Sequence, residues 1–205
     1  MVWRISNFVI LSPIKKLFVK EIVGVENIPE TPPFIVASNH ASYLDFLIIM
    51  KIMYDKFKQK THYVSHPGIY GRKLPEFIYP KYAGCIPIDV PKEEFFANVK
   101  NTLKNNKIVG IFPEGGYTKD GSIRSFKPGV GRIALESSAP ILPIAVQGTY
   151  DVCPGPKLLP KFKKIVKVII GKPMTFNKYD NVKTVHEKIA LEVEAEVKKL
   201  FKIGF

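Results

Sequence analysis

A histidine and an aspartate five residues apart are the residues of this sequence best suited to acid–base chemistry. They are His40 and Asp45, in the stretch SNHASYLD. Histidine exchanges protons near neutral pH, and a carboxylate bonded to one ring nitrogen makes the other nitrogen a usable general base. On one unbroken helix this spacing separates the two side chains by about 140°. They can therefore meet only if His40 precedes a helix and Asp45 lies in its first turn.

The flanking residues favour that layout. An apolar run at 34–38 predicts a strand that leads into the histidine, and the apolar residues 43–54 predict a helix that follows it. Ser42 and Asp45 also have the spacing of a capping box, which needs no catalytic partner. Catalysis and helix capping are therefore two open interpretations of the same eight residues.

A second turn, Pro113-Glu114-Gly115, ends the apolar run at 108–112, which predicts a buried strand. Ligands bind beyond the carboxyl ends of strands in an open α/β sheet, and both turns lie at such ends. Glycine lets the backbone approach a ligand closely, and Glu114 offers an acceptor for a substrate hydroxyl. The two turns together predict one site.

Strands and helices alternate along the chain. Further apolar runs at 22–25, 141–146 and 165–170 predict strands, and the patterns at 91–105, 130–138 and 182–201 predict helices. This alternation indicates the α/β class: a single layered domain with a mostly parallel central sheet flanked by helices. We assign residues 21–205 to that domain.

The net charge of +13 favours anionic partners. Only four of the 31 basic residues are arginine, which leaves 27 lysines and argues against sequence-specific reading of nucleic acid. Membranes or phosphate-bearing ligands suit lysine better. Two cysteines are too few for a disulfide framework and indicate a reducing compartment.

The first 20 residues predict an amphipathic segment. Apolar residues at 10, 14, 17 and 18 share a helical face that is flanked by basic residues, among them Lys15, Lys16 and Lys20. Such a helix can lie in a membrane interface or pack on its own domain, and the sequence leaves both open. We take residues 1–20 as a membrane-association segment and expect a peripheral or monotopic protein at the cytoplasmic face.

The paired motifs resemble those of the glycerolipid acyltransferases, specifically the 1-acylglycerol-3-phosphate acyltransferase superfamily. The resemblance rests on Asn39-His40-x-x-x-x-Asp45 followed by Phe112-Pro113-Glu114-Gly115. It continues in the segments 25–29, 120–129 and 139–146, and it covers residues 22–150. The fold that it implies is a glycerol-3-phosphate acyltransferase-like α/β domain.

The resemblance implies an enzyme, an O-acyltransferase that moves an acyl group from acyl-CoA or acyl carrier protein to a lysophospholipid hydroxyl at a membrane surface. The first-choice acceptor is 1-acylglycerol-3-phosphate, with His40 as general base and Asp45 holding its ring. The substrate-binding residues that it implies are Asn39, Glu114, Gly115, Gly116, Lys119, Arg124, Lys127 and Pro143. Pro143 would shape the wall beside the acyl chain. No metal or cofactor is expected beyond the acyl donor, and the expected partners are lipid acceptor, donor and anionic membrane, not nucleic acid.

Two arginines that the family uses for the acceptor phosphate are absent. Val90 stands at one of these positions, and Gly116-Tyr117 replaces the family's Thr-Arg pair. Lys119, Arg124 or Lys127 would have to rebuild the phosphate site. The alternatives are an acceptor without a terminal phosphate, such as a substituted lysolipid or glycolipid, and a non-catalytic lipid-binding module.

Overall fold

In the part of the chain that the structure describes, seven strands form one sheet. The computed structural model describes residues 10–66, 84–155, 157 and 159–203. The strands are β1 Val19–Val23, β2 Phe34–Ser38, β3 Thr61–Ser65, β4 Ile86–Pro87, β5 Ile108–Ile111, β6 Ile141–Gln147 and β7 Val166–Ile170. They are ordered β1-β7-β6-β2-β5-β3-β4 across the sheet.

Helices cover both faces of this sheet. They are α1 Ser12–Phe18, α2 Tyr43–Phe57, α3 Lys92–Lys104, α4 Gly129–Ser137, α5 Thr149–Val152 and α6 Lys183–Ile203. Side chains alternate between the faces of a strand, and β2 shows the consequence. Ile35 and Ala37 pack in the core with α3, α4 and α6, whereas Phe34 and Val36 pack in a second core with α1 and α2. This confirms the predicted layered α/β domain.

The sheet is mostly parallel, as predicted. Every neighbouring pair of these strands is parallel except β6 and β7, which pair antiparallel. A parallel return needs a crossover, usually through a helix of several turns. Among the described residues between β6 and β7 the only helix is the four-residue α5, which the sequence did not predict, and the chain turns back antiparallel.

The predicted elements are confirmed, with small errors at their ends. The strand at 34–38 has the predicted bounds. The strand predicted at 22–25 begins earlier, at Val19, and the helix predicted at 43–54 continues to Phe57. The turn that contains His40 therefore lies between a fully buried strand and a fifteen-residue helix, which fix its position.

The N-terminal segment both packs on the domain and exposes apolar surface. Leu11 and Phe18 are buried, and Lys15 forms an ion pair of 2.9 Å with Asp55. Leu17, by contrast, is 49% exposed. Packing on the domain is thus confirmed for part of the segment, and its membrane association stays a prediction. None of the described helices is both long and apolar enough to cross a bilayer.

Candidate active site

The turn after β2 brings His40 and Asp45 together. His40 precedes α2, and Asp45 is the third residue of that helix. The Nδ1 atom of His40 lies 3.1 Å from Oδ2 of Asp45, whose side chain is fully buried. This is the layout that the spacing requires. When Nδ1 carries the proton and donates it to Asp45, Nε2 is left as the basic nitrogen.

The same carboxylate also caps α2. Oδ2 of Asp45 accepts hydrogen bonds from the amides of Ala41 at 2.7 Å and Ser42 at 2.8 Å. The Ser42 hydroxyl accepts one from the Leu44 amide at 3.1 Å, and Ser42 and Asp45 together form a capping box. The two interpretations of the sequence are therefore not exclusive in structure. The helix cap fixes the carboxylate, and the fixed carboxylate holds the histidine ring.

Two aromatic rings pack on the imidazole of His40. The Phe112 ring stacks on His40 with a centroid distance of 3.8 Å and an interplanar angle of 10°. The ring centroids of His40 and Tyr117 are 4.2 Å apart, and the interplanar angle between these two rings is 42°. Gly155 packs on the Tyr117 ring so closely that a Cβ atom would overlap it. Only glycine at this position lets the tyrosine stay against His40.

Glu114 holds the backbone of the site. Its carboxylate accepts hydrogen bonds from the amides of His40 at 2.8 Å and Arg124 at 3.0 Å, and its side chain is buried. Burial raises the pKa of Glu114 to about 7, and the two amide hydrogen bonds oppose that shift. The Glu114 carboxylate thus joins the loop at 118–128 to the turn that contains His40. Its contact with a substrate hydroxyl stays a prediction.

An apolar cavity of about 560 Å³ lies beside the histidine. Its wall is built from α2, β3, β5, α3 and α4. The side chains lining it include His40, Phe46, Met50, Tyr63, Phe95, Ile111, Phe112, Val130 and Ile133. A mostly apolar cavity with a few polar groups at one end is the usual form of a site for an apolar ligand.

Lys127 brings a positive charge to this cavity. Lys127, Gly115 and Gly116 line it together with His40. Gly115 has a φ of +73°, and a Cβ atom there would overlap the Lys127 ammonium. The missing side chain thus makes room for the cation above the turn. The structure brings these three predicted residues together with His40.

Asn39 and Pro143 are not among the residues that line the cavity. Asn39 is buried, and its amide group donates to the Val146 carbonyl at 2.9 Å and accepts from the Val146 amide at 2.8 Å. It therefore joins the end of β2 to β6, and its contact with substrate stays a prediction. Pro143 lies within β6, where its carbonyl accepts a hydrogen bond from Gly171, and it is not part of the cavity lining. Its predicted place beside the acyl chain stays a prediction.

Lys119 and Arg124 also lie outside the cavity lining. The Arg124 guanidinium donates to the Tyr117 carbonyl at 3.3 Å, and the Lys119 carbonyl accepts from the Tyr150 hydroxyl at 2.6 Å. Of the three predicted substitutes for the absent arginines, Lys127 is the one that the structure places in the lining. The substrate-binding roles of Lys119 and Arg124 stay predictions.

Sequence reasoning missed the stacking of Phe112 and Tyr117 on His40. A signal for Phe112 does exist, because it ends the apolar run that leads into the predicted site. In the sheet Ala37 is level with Ile111, so Phe112 lies close to the end of β2, where the turn that contains His40 begins. Tyr117 lies five residues beyond the predicted strand at 108–112, and its position had no comparable signal.

The fold and the site define an α/β protein with a carboxylate-held histidine at the wall of an apolar cavity. A family model described as Acyltransferase matches residues 20–147, so the chain belongs to the acyltransferase family.

Several named proteins are similar to this chain. It is 29% identical over 166 residues to the chloroplastic 1-acyl-sn-glycerol-3-phosphate acyltransferase BAT2 of Brassica napus, which covers 78% of this chain and 46% of that protein. It is 27% identical over 155 residues to the 1-acyl-sn-glycerol-3-phosphate acyltransferase of Bacillus subtilis, covering 75% and 73%. The chain thus spans about half the length of the plant relative.

A solved structure shares the fold. The crystal structure of the 1-acyl-sn-glycerophosphate acyltransferase PlsC from Thermotoga maritima matches with a TM-score of 0.72 and 25% sequence identity. The match covers 97% of this chain and 82% of that one. The predicted superfamily is therefore confirmed by sequence and by fold.

Proposed function

We propose that the chain transfers a fatty acyl group from acyl-CoA or acyl carrier protein to the free hydroxyl of 1-acylglycerol-3-phosphate. The observation that carries this proposal is the His40–Asp45 pair at the wall of an apolar cavity. The names of the relatives support the choice of acceptor. No cofactor is required beyond the acyl donor itself.

In the proposed reaction Nε2 of His40 takes the proton from the acceptor hydroxyl. The oxygen attacks the thioester carbonyl carbon, the carbon–sulfur bond breaks, and the imidazolium returns the proton to the departing thiolate. Asp45 stabilises the imidazolium because its carboxylate lies 3.1 Å from Nδ1. Positioned proton transfer of this kind contributes roughly 10²- to 10⁴-fold to a rate.

The cavity would take the acyl chain. Aromatic and aliphatic side chains from five elements line it, and burying an acyl chain there gains about 0.8 kcal/mol per methylene group. The Lys127 ammonium beside Gly115 would bind the acceptor phosphate near the histidine. Apolar surface would thus hold the acyl chain, and the charge of Lys127 would hold the acceptor phosphate.

The contacts of Val90 and Arg124 favour a second class of acceptor. Val90, at a family arginine position, packs against the hydrophobic core, and Arg124 is bonded to the Tyr117 carbonyl outside the cavity lining. Fewer cations near the site would favour a lysolipid or glycolipid without a terminal phosphate.

The two acceptor classes are separated by a competition experiment. The protein is incubated with acyl-CoA or acyl carrier protein and an equimolar mixture of lysophosphatidate, headgroup-substituted lysolipids and glycolipids, and the products are identified by mass spectrometry. Phosphatidate as the main product supports the first proposal, and a substituted product supports the second. Absence of any acylated product would overturn both and leave the non-catalytic module.

The proposed place of action is the cytoplasmic face of a membrane, with the protein bound peripherally. Supporting this, Ile10 and Leu17 are half exposed on α1 or next to it, and Lys16 and Lys20 are exposed beside them. Apolar residues flanked by lysine are suited to an interface of anionic lipid.

A further inference from the structure

The loop between α5 and β7 exposes two large apolar side chains. Leu159 is 89% exposed and Phe162 is 83% exposed, more than any other large hydrophobic residue for which the structure describes exposure. We call the described residues of this connection, 153–155, 157 and 159–165, the lysine loop. Its exposed lysines are Lys157, Lys161, Lys163 and Lys164. Apolar surface that is exposed to this degree, and concentrated in one loop, marks a contact site.

The charge of the lysine loop indicates which kind of partner it would bind. No acidic residue occurs between Asp151 and Asp180 in the sequence. Four lysines around two insertable side chains complement a surface that is anionic and has an apolar interior, which is an anionic lipid bilayer. Each lysine near such a surface adds attraction, while the leucine and phenylalanine enter the acyl boundary.

Hydrogen bonds hold the lysine loop in this conformation. The Lys161 amide donates to the Val152 carbonyl at 2.8 Å, and the Lys157 amide donates to the Pro154 carbonyl at 2.9 Å. The exposed Phe162 ring stacks on the buried Phe18 ring, with centroids 6.2 Å apart. The loop is therefore adjacent to the end of α1, the segment already predicted to contact lipid.

The sheet topology places the lysine loop at the edge of the sheet that carries the His40 turn. β7 runs antiparallel to β6, so the loop that joins them lies where β6 ends. β2 is parallel to β6, and its end carries the His40 turn to the same edge. The Gly155 amide donates to the Ala41 carbonyl at 2.9 Å, which joins the loop to that turn. Leu159, four residues further on, is at most about 14 Å from Gly155.

We propose that the lysine loop is a second lipid-contacting element, which inserts Leu159 and Phe162 into an anionic bilayer beside α1. Its lysines contact the headgroup phosphates. The membrane then meets the edge of the sheet where His40 lies, so a lipid acceptor reaches the histidine without leaving the surface. The link to a lipid acceptor rests on the proposed function, whereas the contact with lipid does not.

The test is vesicle binding by the double variant Leu159→Gln/Phe162→Gln. The matched control is Leu191→Gln, because Leu191 is 63% exposed on α6 and outside the loop. Binding to vesicles of phosphatidylcholine and phosphatidylglycerol is measured by sedimentation, together with thermal melting. We expect the double variant to lose roughly tenfold or more in partition coefficient, with the control unchanged. Equal binding by the double variant and the wild type would overturn the proposal.

A charge-reversal variant gives an independent readout. Lys163→Glu/Lys164→Glu should weaken binding to the anionic vesicles, and added salt should weaken binding by the wild type, because both act on the headgroup attraction. Unchanged binding to anionic vesicles by this variant would refute the headgroup contact.

Transfer assays separate the loop from the proposed reaction. Leu159→Gln/Phe162→Gln should lose transfer to lysolipid embedded in vesicles and keep transfer to a short-chain lysolipid below its critical micelle concentration. Equal loss on both acceptors would contradict a membrane role for the loop. If the wild type acylates neither acceptor, the proposed function fails, and the vesicle-binding result still decides whether the loop contacts lipid.

Discussion

Replacing Asp45 by asparagine separates helix capping from the support of His40. In the wild type one oxygen, Oδ2, accepts from the Ala41 and Ser42 amides and lies 3.1 Å from His40 Nδ1. An asparagine oxygen can take this position and keep both amide donors. It carries no charge, however, and its amino group must occupy the buried place of Oδ1, which has no hydrogen-bond partner among the described residues.

The structure gives a magnitude for each effect. The uncharged side chain no longer stabilises an imidazolium, so kcat should fall by about 10²- to 10⁴-fold. A weakened cap costs about 1 kcal/mol of unfolding free energy, and an unpaired buried amino group costs about 1–3 kcal/mol. Asp45→Asn should therefore lower both activity and stability while the protein still folds.

Ser42→Ala is the matched control. It removes the hydroxyl that accepts from the Leu44 amide and leaves the carboxylate on His40, so it should cost about 1 kcal/mol and spare transfer. The assay is initial-rate acyl transfer, with urea unfolding in parallel. A folded Asp45→Asn protein with wild-type turnover would refute the general-base reasoning and leave the carboxylate as a cap alone.

Three further predictions concern the cavity cation, the buried carboxylate and the N-terminal segment. Lys127→Ala should lower kcat/KM for lysophosphatidate by roughly tenfold or more, because a charge-assisted hydrogen bond is lost. Arg124→Ala, outside the cavity lining, should change it little, and the reverse order of effects would contradict this assignment. Burial raises the pKa of Glu114 to about 7, so its contribution to stability is full below pH 4.5 and is lost as the pH rises through 7. The unfolding free energy of Glu114→Gln should therefore fall less across that interval in urea titrations, and parallel curves would count against it. Ile10→Gln/Leu17→Gln should reduce binding to anionic vesicles without changing the melting temperature, since both side chains are half exposed; unchanged binding would remove α1 from the membrane contact.

Local sequence predicted the parts of the site that depend on local geometry. The buried run at 34–38, the capping pattern at Ser42 and the five-residue spacing to Asp45 together require the histidine to precede the helix. The structure has that layout because a cap is fixed by residues three or four apart. The absent arginines, and not local spacing, indicated Lys127 as one of three possible replacements, and the structure places its ammonium against Gly115.

The remaining features depend on contacts between distant parts of the chain. Phe112 and Tyr117 reach His40 from more than seventy residues away, and the packing of Gly155 on Tyr117 comes from a third segment. No periodicity in a single sequence reports such contacts. The antiparallel return of β7 is also of this kind, because apolar runs predict strands and not their direction. Through that return the lysine loop reaches the edge of the sheet that carries the His40 turn.

The most direct test of acyl transfer through His40 is the rate of acyl transfer by His40→Phe, compared with wild type and with His186→Ala. Phenylalanine keeps a ring against Phe112 and Tyr117 and removes both imidazole nitrogens. His186 serves as the control because it lies on α6, outside the cavity lining. Products are quantified by mass spectrometry after circular dichroism has shown that each variant is folded. We expect transfer by wild type and His186→Ala, and none above the uncatalysed rate by His40→Phe. Substantial transfer by folded His40→Phe protein would contradict the account.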